Sequence, residues 1–113
     1  MTVVLDYLDD MLHAAEKIRR YTADMTFEEF TDDEKTVDAV LRNFEVIGEA
    51  AKNIPEELRQ EHEDVPWSEM AGMRDRLIHG YSSVDLHIVW MTVIEEIPLL
   101  ISQIRAVSNS LDE

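Results

Sequence analysis

The chain has no cysteine. That absence excludes disulfides, thiolate metal ligands and thiol nucleophiles, and it fits a reducing compartment. Glycine and proline number three each, so there is no Gly/Ser linker, and no low-complexity stretch or internal repeat breaks the 113 residues. No apolar run approaches the ~18 residues that cross a bilayer. The first ten residues are acidic and lack the basic, then apolar, pattern of a signal peptide; a cytoplasmic protein with no membrane partner is expected. Cations are scarce, 10 Lys and Arg against 25 Asp and Glu, for a net charge of −15. Tight nonspecific binding of nucleic acid, DNA included, rests on clustered cations and is not expected of the isolated chain. The charge leaves room for a local cationic site acting on RNA, and equally for plain solubility or a surface matched to a basic partner. His13, His62, His79 and His87 contain no H-x-x-x-H pair, and Asp10-x-x-His13 has no second carboxylate–histidine motif to complete a bundle-core di-iron site. There is no glycine-rich phosphate loop, G-x-S-x-G or zinc knuckle. No metal and no cofactor are expected.

What is present is helical spacing, almost throughout. A length of 113 residues suits one domain spanning 1–113. The first helix is expected over about residues 3 to 23, with Val4, Leu5, Leu8, Met11, Leu12, Ala15, Ile18 and Tyr21 as its apolar stripe. Thr26-Phe-Glu-Glu reads as a capping box opening a short turn anchored by Phe27 and Phe30. Asp32 or Asp33 then caps a long helix to about Asn53, whose face is kept slim by Gly48 and Ala51. Pro55 starts a short acidic helix. Pro66 opens a helix ending at His79 or Gly80, with Gly80 suited to a left-handed cap. Ser82-x-x-Asp85 or Ser83 opens the last helix, to about Ser108, with Val89, Trp90, Val93, Ile94, Ile97, Leu100, Ile101, Ile104 and Val107 inward and a bend at Pro98. Met70, Met73, Met91 and Trp67 read as core or packing anchors. No segment alternates with period two, so the fold class is an all-α bundle of four main helices plus short ones.

The most informative segment is Arg74-Asp-Arg-Leu-Ile-His-Gly-Tyr81, which holds R-x4-H-x-Y. Arginine offers a permanently charged planar fork to phosphate oxygens, and histidine exchanges a proton near neutral pH. Arg74 and His79 lie about 140° apart around an ideal helix, a gap that a long side chain at a helix end bridges. Asp75 and His79, four apart, share a face, so Asp75 is placed to orient the imidazole. Arg76 is expected to be solvated. The same residues also describe an ordinary helix end, with His79 as a C-terminal cation and Arg74 as a partner for nearby acids.

Beyond the octapeptide, Arg42 to Pro55 (RNFEVIGEAAKNIP), Pro66-Trp67, Gly72 to Tyr81 (GMRDRLIHGY), Val84-Asp85 and Val89-Trp90 resemble, in this order, the HepT family of the HEPN superfamily. The resemblance covers about residues 3 to 105. It implies a HEPN-type dimeric bundle and a toxin of a type VII-like toxin–antitoxin pair. The implied activity is metal-independent RNA cleavage, with Arg74 and His79 in the catalytic positions. It also implies an MntA-like nucleotidyltransferase antitoxin as partner, which adds AMP to the tyrosine matched here by Tyr81. The other function in view is a non-catalytic HEPN module that holds such a nucleotidyltransferase.

Overall fold

The computed structural model describes residues 2–79 and 84–111. Among these are seven helices and no strand: α1 (Thr2–Thr22), α2 (Phe27–Asp32), α3 (Glu34–Lys52), α4 (Glu56–Glu61), α5 (Trp67–His79), α6 (Leu86–Glu95) and α7 (Ile97–Leu111). The fold is an all-α bundle of the expected kind. α3 is central, packed between α1 and α5; α7 lies along α1, and α6 packs on α7 with α2 beside it.

The helix boundaries follow local chemistry. Thr26 and Glu29 complete the capping box of α2, each side chain accepting from the other residue's backbone N–H at 3.1 and 2.9 Å. Asp33, rather than Asp32, caps α3, accepting from the Thr36 N–H at 3.1 Å and the Thr36 hydroxyl at 2.8 Å. Those two bonds hold the Asp33 carboxyl below its usual pKa. The Pro66 carbonyl accepts from Met70 N at 3.0 Å at the start of α5. Trp67 is buried there and donates its indole N–H to the His62 carbonyl at 3.0 Å, so it is a packing anchor as expected. α6 is capped by Asp85, which accepts from His87 N at 2.9 Å; Ser82, Ser83 and the expected Gly80 cap lie outside the described residues.

Leu8, Met11, Ala15 and Ile18 of α1, with Val40, Phe44 and Ile47 of α3 and Leu100 and Ile104 of α7, form the centre of the core. Three residues expected to face the core need correction. Tyr21 is 41% exposed, because the stripe runs through Ala14 and Thr22 at that end of α1. Thr22 is buried at little cost, since its hydroxyl donates to the Ile18 carbonyl at 2.8 Å. Ile94 and Met91 are 52% and 39% exposed. α6 buries only Val89, Trp90 and Val93, with Trp90 against Phe30 at 5.1 Å between ring centres. The expected single last helix is in fact two, α6 and α7, bent by 51°. Pro98 has no N–H for the Ile94 carbonyl, so the ladder breaks at Glu96 and the proline takes a first-turn position in α7. No single helix among the described residues is long and apolar enough to cross a membrane.

Candidate functional site

The site begins with the close approach of α5 to α3 at Gly48. A Cβ placed there would overlap the Arg74 Cβ and lie 2.7 Å from the Met70 carbonyl oxygen. The slim face expected of α3 is therefore used: with hydrogen at position 48, the Arg74 stem lies directly on the α3 backbone.

From there the Arg74 side chain, 25% exposed, reaches two carboxylates. One terminal nitrogen is 3.0 Å from Glu49 Oε2 and the other 3.3 Å from Asp75 Oδ1. The same Asp75 oxygen accepts from Lys52 Nζ at 3.1 Å. Lys52 holds the Asp75 carboxyl below its usual pKa, partial burial works against it, and Arg74 adds to the lowering. Beside Arg74 opens a cavity of about 220 Å³, lined by Tyr7 and Asp10 of α1 and by Arg42, Glu45 and Glu49 of α3. Arg42 pairs with Glu45 there at 3.5 Å.

Of the residues singled out from sequence, Arg74 and Asp75 are thus in direct contact. His79 is the last residue of α5, one turn beyond Asp75 on the same helix. The His79 side chain and Tyr81 lie outside the described residues. Arg76 is exposed, as expected, and faces a separate groove between α5 and α6 with Met73 and Ile88. Among the described residues no three His, Asp or Glu side chains converge as metal ligands.

Two participants were not foreseen. Glu49 and Lys52 stand three apart on the exposed side of α3, but nothing in their own spacing says that α5 delivers Arg74 and Asp75 between them. The signal was indirect: Gly48 marks where another helix comes close. Chemically, the arrangement is a guanidinium whose two terminal nitrogens each rest on a carboxylate at the protein surface. The planar guanidinium fork is also the group that pairs with phosphate oxygens.

Comparison with known sequences points the same way. The model of the ribonuclease HepT-like family matches residues 11–107. A Thermococcus cleftensis protein named "Probable ribonuclease HepT" is 50% identical over 95 residues, covering 84% of this chain and 86% of its own length. A protein of Caldanaerobacter subterraneus subsp. tengcongensis whose name includes RNase is 43% identical over 101 residues, covering 89% and 90%. A Methanocaldococcus jannaschii protein also named as an RNase is 42% identical over 106 residues, covering 94% and 88%. No solved structure matches. The match over residues 11–107 and the identity to these relatives make this chain a member of the HepT-like ribonuclease family.

Proposed function

We propose that the chain is a metal-independent endoribonuclease and the toxin of a type VII-like toxin–antitoxin pair. The observation that carries this reading is Arg74. It is seated on Gly48, held at a half-open surface by Glu49 and Asp75, and placed on the same helix as His79. The names of the relatives support ribonuclease chemistry in particular.

In this mechanism His79 takes the proton of a ribose 2′-hydroxyl. The 2′-oxygen attacks the adjacent phosphorus, the P–O5′ bond breaks, and the leaving oxygen receives a proton. The products are a 2′,3′-cyclic phosphate and a 5′-hydroxyl. Arg74 exchanges its carboxylates for phosphate oxygens and stabilises the charge that builds on them. Asp75, one turn before His79 and engaged through Oδ1 by Lys52 and Arg74, is the residue assigned to orient it. One chain supplies one such histidine, whereas the reaction uses a base and an acid, so a homodimer supplies both. The exposed Ile88, Met91 and Ile94 of α6 give such a dimer an apolar surface.

The partner in this reading is an MntA-like nucleotidyltransferase that silences the toxin by adding AMP to Tyr81. A phosphate two residues from His79 would block RNA by bulk and by charge. Coexpression with the nucleotidyltransferase tests this part. The wild-type chain gains mass in steps of one AMP, Tyr81→Phe does not, and Tyr81→Phe inhibits growth with the antitoxin present. AMP addition to the phenylalanine variant would move the acceptor elsewhere.

A second reading has its own support. Arg74 is already neutralised by two carboxylates and the chain carries −15, which suits a non-catalytic module that holds the nucleotidyltransferase. In that case growth inhibition is absent and the complex still forms with His79→Ala.

A further inference from the structure

The exposed ridge of α3 carries more charge than the contact with Arg74 accounts for. Arg42, Glu45, Glu49 and Lys52 follow at i, i+3, i+7 and i+10 and share one side of the helix. Arg74 and Asp75 reach the same ridge from α5. Three cations thus alternate with three carboxylates. Arg42 pairs with Glu45 at 3.5 Å, Arg74 spans Glu49 and Asp75 at 3.0 and 3.3 Å, and Lys52 pairs with Asp75 at 3.1 Å. Asp38, one turn before Arg42, and Asp10 across the cavity border this strip, which still gathers three of the chain's 10 Lys and Arg.

The cations are also in order. Arg42 and Arg74 line one cavity, and Lys52 and Arg74 share one oxygen of Asp75. Arg74 therefore stands between the other two, which are ten residues apart, about 15 Å along α3. Both flanking side chains are open to a ligand, Arg42 at 73% exposure and Lys52 at 43%. Exposed pairs of this kind contribute little to stability, so fold maintenance does not explain why three of them line up through Arg74.

We propose that Arg42 and Lys52 are substrate-binding residues that hold the RNA phosphates on either side of the one at Arg74. This inference rests on the reading of Arg74 as the clamp on the scissile phosphate. In the free protein each carboxylate keeps its cation extended along the ridge. When single-stranded RNA enters, its phosphates take the places of the carboxylates one by one, as in other cationic grooves that track a backbone. The ligand is a strand with several phosphates. A mononucleotide would satisfy Arg74 alone.

The test compares two substrates on the full chain: a dinucleoside monophosphate, with only the scissile phosphodiester, and a single-stranded RNA decamer. Arg42→Ala and Lys52→Ala are each expected to raise KM for the decamer about fivefold, the order of one exposed ionic contact. Each also lowers its salt dependence by roughly 0.7 in log–log slope, and the dinucleotide KM is unchanged; Lys52→Ala also releases Asp75 and so is read by KM alone. Arg19→Ala removes the same charge beside Ile101 and Arg105 of α7 and leaves both substrates unaffected. An unchanged decamer KM in Arg42→Ala and Lys52→Ala overturns the proposal and leaves the Arg74 reading standing. An equal effect from Arg19→Ala reduces the matter to net charge and also overturns it. Failure of the wild-type chain to cleave either substrate removes the Arg74 reading and this proposal with it.

Discussion

Gly48 and Gly72 are both helix-interior glycines, yet their surroundings differ in kind. A methyl at 48 meets the Arg74 Cβ and the Met70 carbonyl, whereas a methyl at 72 meets nothing within 4 Å. Gly48→Ala should therefore push α5 off α3, with a cost of about 1–3 kcal/mol. Gly72→Ala should stabilise by up to about 1 kcal/mol, the helix-propensity gain alone. Urea midpoints of the two variants check this, and a Gly48→Ala variant as stable as the parent would remove the seat assigned to Arg74. Asp75 gives a second residue-scale outcome. Its carboxyl is depressed, so the stability it contributes is fully present above the ordinary aspartate pKa of about 3.9 and is lost as pH falls through the lowered value. Removing the largest cause, with Lys52→Ala, should move the Asp75 titration in a ¹³C carboxyl NMR experiment up toward the ordinary value. No movement would mean that Lys52 does not engage Asp75 in solution.

At the scale of the element, what could be read from sequence was what the chain decides locally. The capping box Thr26–Glu29 is formed, and of the two candidates Asp32 and Asp33 it is Asp33 that caps α3. Leu8, Met11, Ala15 and Ile18 repeat at helical spacing, and all are buried. Misreadings arose where a neighbour decides. Ile94 fits the apolar stripe but faces outward, because the break at Glu96 sets α6 at 51° to α7 and leaves α6 only three buried positions. Arg74 and Asp75 were singled out from the octapeptide, and the structure brings them into contact. Their partners Glu49 and Lys52 were not legible there, because contacts across 25 and 23 residues depend on how α3 registers against α5, and helical periodicity is silent on register.

For the whole molecule, two properties have to be reconciled: a net charge of −15 and a substrate that is itself a polyanion. On the proposed reading RNA lies along the charge-alternating strip of α3, and the exposed apolar face of α6 meets a second copy. Met91→Glu with Ile94→Glu puts two charges on that face at positions already exposed. The double variant should run as a monomer in light scattering at micromolar concentration, with unchanged helical circular dichroism, while the parent runs as a dimer. A monomeric parent would contradict the assignment. RNA cleavage by the purified chain in excess EDTA tests the proposed reaction itself. The wild-type chain is expected to cut single-stranded RNA, leaving 2′,3′-cyclic phosphate and 5′-hydroxyl ends. His79→Ala should lose the activity, and Arg74→Lys should recover little of it, since a point charge does not replace the planar fork. Cleavage that persists in His79→Ala, or a wild-type chain inactive toward RNA, would contradict the account.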